Sequence, residues 1–392
     1  MPEKETKTLL IVAGESSGEL YGSLLAAELR RMAPGVRIMG VGGEKMEAQG
    51  VEVIRRVSGA FGVTELAAHL RELRATFRQI MQRVDEERPQ AAVLIDFPDF
   101  NFRAAAELKK RNVPVLYYVS PQVWAWRAGR IEKIKRLADT VALILPFEEE
   151  IYRKAGIPHE FVGHPVLDEI SGMPDAGEYP GCLGQKQKTA LGLDETRPLL
   201  SILPGSRPSE LERHLPLFHE VMAQFHQEFP AWQFLIPLAP NLDRKPFESE
   251  LKAFEIGGAR VIKGSAVSAL AASDAALIAS GTATLQAAFL EKPFCVVYKL
   301  SPVTFFLARI FVRGVKYVSL VNILSGGQAV KEFLQRDANP ARIMAELRRI
   351  ASDAEYREAL AGRLRAVRAP FEGRHASKRV AEMVCRMAGW RK

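Results

Sequence analysis

Long apolar runs are missing from this 392-residue chain. Uncharged apolar stretches such as Val303 to Ala308 fall well short of the ~20 residues a membrane-spanning helix needs. Cysteine is scarce too. Cys182, Cys295 and Cys385 are odd in number and widely spaced, which argues against a disulfide framework or a zinc site and for a reduced, cytoplasmic protein. Met1 to Thr8 alternates charges and offers no apolar core, so no signal peptide is expected. Short repeats and low-complexity tracts are absent. Neither a metal nor a cofactor is called for.

What is present fits a soluble globular chain: 47% apolar and 26% charged residues exclude disordered and collagen-like classes. The length suits two domains. The net charge of +8 lies largely in the C-terminal segment, where 13 Lys/Arg stand against 6 Asp/Glu from Ala341 onward, and a second basic region runs from Arg103 to Arg136. Such a balance favours phosphate-bearing partners, whether nucleotides, nucleic acid or anionic lipid, or else marks solvated helix faces.

Short apolar runs alternate with longer stretches of helical period. Thr8–Ala13, Val36–Val41, Ala92–Ile95, Val115–Val119 and Thr140–Leu145 read as buried strands, with helices such as Leu20–Met32 and Val63–Val84 between them. A Gly/Pro/polar stretch from Ser171 to Gln187 reads as a linker. Strands then resume at Leu199–Leu203, Trp232–Pro237, Ala275–Ala279 and Phe294–Tyr298, and from Asn339 the chain looks helical. The alternation implies two doubly wound, Rossmann-like α/β domains, at 1–175 and 190–345, followed by a helical tail at 346–392. In such folds ligands bind beyond the carboxyl ends of strands, so chemistry is sought in the strand-to-helix loops.

Five loops qualify. Gly14, Ser17 and Gly18 lie in Gly14-Glu15-Ser16-Ser17-Gly18-Glu19, which is either a ligand loop, where glycines and a helix N-terminus suit close approach, or a tight structural turn; it is neither G-x-G-x-x-G nor a P-loop. Arg207 projects from Leu203-Pro204-Gly205-Ser206-Arg207, either as a planar donor fork matched to phosphate oxygens or as a surface arginine on a loop. Ser280, Gly281 and Thr282 open a helix after a strand, where capping and phosphate binding need the same geometry, and Gln286 lies one turn on. Asp96 and Asp99 in Ile95-Asp96-Phe97-Pro98-Asp99 are either turn caps or a catalytic base; their spacing is not the D-x-D of a metal-held diphosphate. The aromatic stretch Tyr117 to Arg127 is either a core satellite or a surface for sugar stacking or acyl chains. His164 is either a base or a hydrogen-bonded structural residue.

These motifs, with Leu145-Pro146-Phe147-Glu148, Phe161-Val162-Gly163-His164-Pro165 and Val318-Ser319-Leu320-Val321-Asn322, come in one order from about Leu9 to Gln335. Together they resemble the lipid-A-disaccharide synthase family of inverting glycosyltransferases with the GT-B fold. The resemblance implies UDP-2,3-diacylglucosamine as donor, 2,3-diacylglucosamine 1-phosphate as acceptor, and a β-1,6-linked disaccharide 1-phosphate and UDP as products. It implies an acceptor-binding first domain, a UDP-sugar-binding second domain, a C-terminal helical tail that packs back on the first domain, and a peripheral place on the cytoplasmic face of the membrane. Asp99 is then the expected base, with Asp96 or Glu15 as alternatives. Arg207 and the N–H groups around Ser280, Gly281 and Thr282 would meet the diphosphate, and Asn322 would contact the donor. Gln286 departs from the family's usual Glu, an acid that in such enzymes holds ribose hydroxyls.

A UDP-sugar 2-epimerase would share the phosphate loops but has no need of the Trp124–Trp126 segment. A nucleic-acid-binding protein would explain the charge, yet no such motif is visible. Two apolar stripes either pack into domain cores, the favoured reading for the first, or contact a bilayer: Val63, Leu66, Leu70, Leu73, Phe77 and Ile80 at helical spacing, and Val303 to Val312 with interleaved basic residues.

Overall fold

The protein is described here by a computed structural model covering residues 7–56, 66–124, 129–173, 180–300 and 316–390. The chain divides into two compact units: residues 1–168 with 373–392, and residues 169–372.

The first unit is built on seven strands: β1 (Thr8–Ala13), β2 (Arg37–Gly42), β3 (Glu52–Arg56), β4 (Ala91–Ile95), β5 (Val115–Tyr118), β6 (Thr140–Leu143) and β7 (His159–Phe161). They run parallel in the order β3-β2-β1-β4-β5-β6-β7. The connecting helices are α1 (Ser16–Met32), α2 (Glu44–Ala48), α3 (Leu66–Glu87), α4 (Pro98–Lys110), α5 (Arg130–Leu137), α6 (Glu148–Ala155) and α7 (Pro165–Ser171), the last containing the division at 168/169. Helices on both faces leave the central strands no wet side, which is why β1 and β4 are unbroken apolar runs rather than alternating ones. Every residue of both strands is buried.

The second unit repeats the plan with β8 (Leu199–Leu203), β9 (Gln233–Leu238), β10 (Ala259–Lys263), β11 (Ala275–Ala279), β12 (Phe294–Tyr298) and β13 (Glu332–Leu334) in the parallel order β10-β9-β8-β11-β12-β13. Its helices are α8 (Pro180–Ala190), α9 (Pro208–Glu228), α10 (Glu248–Ile256), α11 (Ala266–Ala272), α12 (Thr282–Phe289), α13 (Leu320–Leu324), α14 (Pro340–Ser352) and α15 (Ala354–Arg368). Helix α8 occupies much of the stretch read from sequence as a linker.

The tail is shared between the units. Leu347, Ile350, Leu360 and Leu364 bury the apolar faces of α14 and α15 in the second unit, and Phe371 packs its ring 5.0 Å from that of Phe289. The final helix, α16 (Ala376–Met387), belongs to the first unit and packs on α1. Its N-terminus is capped from a distance: the Ser377 N–H donates to the Asp168 carboxylate at 2.6 Å. Arg374 donates to the Phe161 carbonyl at 3.2 Å and lies over the Phe161 ring.

Of the first apolar stripe, Ile80 is fully buried and Leu73 and Phe77 pack against the first unit's core. Those positions are structural. Val63, the side chains of Leu66 and Leu70, and the cluster Val303 to Val312 lie outside what is described. No helix among the described residues is long and apolar enough to cross a membrane.

Gly40 of β2 pairs with Ile11 of β1. A Cβ there would sit 1.7 Å from the Ile11 carbonyl oxygen, a backbone atom that cannot turn away. Gly40→Ala is therefore expected to force β1 and β2 apart and to destabilise the protein by about 2 kcal/mol or more, read as a lowered denaturation midpoint in urea. A midpoint equal to that of the wild type would mean the strands give way without strain.

Candidate active site

The strand order of each unit reverses direction at one seam, between β1 and β4 in the first and between β8 and β11 in the second. At such a seam the loops leave in opposite directions and open a crevice at the carboxyl ends of the strands. The four loops richest in candidate residues are the four at these seams.

In the first unit, Ala13 at the end of β1 lies level with Ile95 at the end of β4. The two loops touch: a Cβ on Gly14 would overlap the Phe97 ring at 2.1 Å, so only glycine fits. Glu15 is exposed, in extended conformation at the N-cap of α1; Ser17 is half-buried and Gly18 buried in the first turn. After β4 the chain makes an unusual turn. Asp96 and Phe97 both take left-handed backbone angles, φ 48 and φ 46, which cost ordinary residues of order 1–3 kcal/mol each. Three bonds to the Asp96 main chain hold it. Its N–H donates to the Tyr118 carbonyl at 3.0 Å, and its carbonyl accepts from Asn101 Nδ2 at 2.7 Å and Tyr117 Oη at 2.8 Å. Asp99 follows in the first turn of α4. Its carboxylate is 84% exposed and ion-paired at 3.0 Å with Arg130, whose side chain is only 13% exposed and lies over the Phe102 ring. The base candidate thus stands in reach of solvent, held by a cation that the sequence did not single out.

The loop after β5 also carries strain, with the β-branched Val119 at φ 63. Beneath it Ser120 is hydrogen-bonded to the Tyr152 hydroxyl, and the Trp124 ring meets Phe147 edge-on at 5.2 Å. Trp126 and Arg127 lie outside the described residues. Glu148, in a motif to which no role attached, is 1% exposed. Burial pushes its carboxyl up to about 8, offset in part by the main chain at Leu145. Glu148 Oε2 and Trp124 Nε1 are both buried without a formed hydrogen bond. His164 resolves toward structure: it is 2% exposed, its Nδ1 accepts from the Val166 N–H at 3.2 Å, and burial pulls it down to about 3, too low for a base near neutrality.

In the second unit Leu203 of β8 pairs with Ile278 of β11, so their loops emerge side by side. Arg207 is exposed at the N-cap of α9. The turn before it is fixed by Glu210, whose Oε2 accepts from the Ser206 and Arg207 N–H groups at 2.8 and 3.3 Å. Gly205, at φ 124, leaves room for that carboxylate. Across the seam Gly281 is exposed at φ 151 as the N-cap of α12, flanked by half-buried Ser280 and Thr282. An open helix N-terminus beside an exposed arginine suits an anion. Gln286 is buried, and its Nε2 donates to Glu169 at 2.8 Å.

Asn322 is held within its own loop. It is fully buried, its Nδ2 donates to the Val330 carbonyl at 2.9 Å and to Glu332 at 2.8 Å, and its Oδ1 accepts from the Val330 N–H at 2.9 Å. Those bonds commit it to shaping the 318–332 loop. Among the described residues no group of three His, Cys, Asp or Glu side chains is arranged to hold a metal ion.

Comparison with known proteins identifies the molecules of this type. The family model described as lipid-A-disaccharide synthetase matches residues 9–382. The lipid-A-disaccharide synthase of Anaeromyxobacter dehalogenans strain 2CP-C is 42% identical over 381 residues, covering 97% of each chain. That of Myxococcus xanthus is 39% identical, covering 96% of each. Among solved structures, a UDP-GlcNAc 2-epimerase from Neisseria meningitidis bound to UDP-GlcNAc superposes with a TM-score of 0.65 at 14% identity, over 97% of this chain and 100% of that one. The calicheamicin glycosyltransferase CalG4 gives 0.61 at 17%, over 98% and 99%. At those identities the structural likeness speaks for the GT-B fold alone.

Glu148 gives the site a pH signature. Its native pKa of about 8 lies above the ordinary 4.5, so the folded protein holds the proton more tightly than the unfolded chain. The stability this confers is complete below about 4.5 and is lost as pH rises through about 8. Glu148→Gln, which copies the neutral acid, is expected to match the wild type at pH 5 and to exceed it at pH 8.5 by on the order of 3 kcal/mol in urea unfolding. Parallel stability curves for the two proteins would place the carboxyl in water.

Proposed function

The chain belongs to the lipid-A-disaccharide synthetase family and is a glycosyltransferase of lipid A biosynthesis that takes a UDP-sugar and a lipid acceptor; from that premise we propose its substrates and the division of labour among its residues. The donor is UDP-2,3-diacylglucosamine and the acceptor 2,3-diacylglucosamine 1-phosphate. The acceptor's 6-hydroxyl attacks the donor's anomeric carbon from the face opposite the diphosphate. The bond from that carbon to UDP breaks, the configuration inverts, and a β-1,6-linked disaccharide 1-phosphate and UDP result.

The observation that carries this reading is the seam of each unit, where one presents carboxylates and the other an arginine beside an open helix N-terminus. The first unit would serve the acceptor. Asp99 takes the 6-hydroxyl proton, with Arg130 orienting the carboxylate; Asp96 and Glu15 are the alternatives. Gly14, Ser17 and Gly18 let the acceptor approach the main chain. The second unit would serve the donor. Arg207 and the N–H groups at Ser280, Gly281 and Thr282 stabilise the charge that develops on departing UDP, a task preorganised dipoles perform without rearrangement. The enzyme works at the cytoplasmic face of the membrane, from which two-chained substrates must be drawn. The C-terminal surplus of positive charge suits an anionic bilayer. A UDP-sugar 2-epimerase shares the fold but needs no acceptor.

The deciding measurement is product analysis by mass spectrometry with both diacylated sugars supplied. A tetraacyl disaccharide 1-phosphate, with UDP released only when the acceptor is present, is expected; UDP-sugar conversion without acceptor would overturn the reading. Asp99→Asn should lower the rate by about 10²–10⁴-fold while sparing UDP affinity. Near-normal turnover would assign the proton to Asp96 or Glu15. Arg207→Ala should weaken UDP binding by roughly 1.5–3 kcal/mol in calorimetry, and an unchanged affinity would remove Arg207 from the diphosphate.

A further inference from the structure

Helix α9 contributes a side chain that neither its motif nor the reaction accounts for. His214, two turns into the helix, is completely buried, with its ring stacked on Phe218 at 5.5 Å. Both ring nitrogens are engaged with main-chain groups of other segments. Nδ1 lies 2.9 Å from the Pro204 carbonyl oxygen, and Nε2 lies 3.1 Å from the Lys299 N–H. The partners dictate the tautomer. A backbone N–H can only donate, so Nε2 accepts, the single proton sits on Nδ1, and Nδ1–H donates to Pro204. The ring is neutral, and burial, reinforced by the nearby Lys299 and Arg213 charges, pulls it down to about 4.

The two segments it joins are separated by a strand. Pro204 follows β8 and opens the turn that ends in Arg207, while Lys299 follows β12; in the sheet β11 lies between them and sends out the Ser280–Thr282 loop. All three strands are parallel, so Pro204, Ser280 and Lys299 emerge at one end of the sheet. The exit from β12 is tied on its other side as well, where the Leu300 N–H donates to Gln335 Oε1 at 3.2 Å and the Gln335 N–H donates to the Tyr298 carbonyl.

We propose that His214 is a positioning residue for the UDP-binding end of the second unit, a neutral clasp that fixes the Arg207 turn and the Lys299 main chain on either side of the α12 N-terminus. The proposal rests on the reading that this unit binds the donor. Without the clasp the Arg207 turn keeps its Glu210 cap but loses its register against the neighbouring strand ends.

His214→Phe keeps the ring and its stack on Phe218 and removes both hydrogen bonds; His214→Gln keeps an acceptor for the Lys299 N–H. Both are compared with the wild type by calorimetry with UDP, by thermal melting, and by steady-state kinetics with each substrate varied. For His214→Phe, UDP affinity is expected to fall by on the order of tenfold, with a matching rise in donor KM, a fall in kcat because Arg207 also meets the charge developing on UDP, and acceptor KM within about twofold. His214→Gln should fall between that variant and the wild type. A melting temperature that drops while UDP affinity and donor KM hold would make His214 merely structural and overturn the proposal. Should His214→Phe fail to fold, the same readouts on His214→Gln decide. A wild type that binds no UDP would bring down the donor reading and the proposal with it, an outcome distinct from a variant that binds UDP as well as the wild type.

Discussion

Burial of parallel strands on both faces is the constraint from which the rest follows. A strand with no wet side must be apolar throughout, and its successor in a parallel sheet can be reached only by a crossover that packs a helix on one face or the other. Helices on both faces require the strand order to turn back once, between β1 and β4 and again between β8 and β11. At that seam adjacent loops diverge, leaving strand ends that helices do not cover. Gly14, Asp96, Arg207 and Gly281 stand where they do because the sheet has one reversal per unit.

The same constraint explains what could be read from the sequence. Nine strands were legible, all of them interior: β1, β2, β4, β5, β6, β8, β9, β11 and β12. The four that escaped notice are the four sheet edges. β3 (EVIRR) and β10 (ARVIK) are half-exposed and charged, and β7 and β13 have three residues each. Edge strands meet solvent along one side and carry charge there, so the apolar run that betrays an interior strand is absent. The candidate loops were legible for a related reason, since each follows an interior strand. Side-chain partnership was not. Nothing in the sequence joins Arg130 to Asp99, 31 positions apart, or shows that Asn322 spends its amide on its own loop.

Ionisation is sorted by depth around the strand ends. Glu148, His164 and His214 are buried and held neutral by desolvation, the acid shifted up and the two imidazoles down. Asp99 and Arg207, by contrast, are exposed. Neutral groups shape loops without setting up fields that would compete with a charged ligand. The strained residues fit the same division. Asp96, Phe97 and Val119 hold left-handed angles only because buried hydroxyl, amide and backbone groups pin them from below. The cost is met in the interior, and the precision appears at the surface.

Gln286 follows from this electrostatic economy. The family resemblance leads one to expect a carboxylate at that position, but here the amide Nε2 donates to the Glu169 carboxylate at 2.8 Å, with Gln286 buried. A glutamate in its place would set two carboxylates against one another in a half-buried setting, which disfavours both staying charged and close. An amide is the smallest change that removes the clash, because it supplies a donor where a carboxylate has none. Gln286 and Glu169 are thus a matched pair, in which negative charge is kept near α12 but carried by the neighbouring residue.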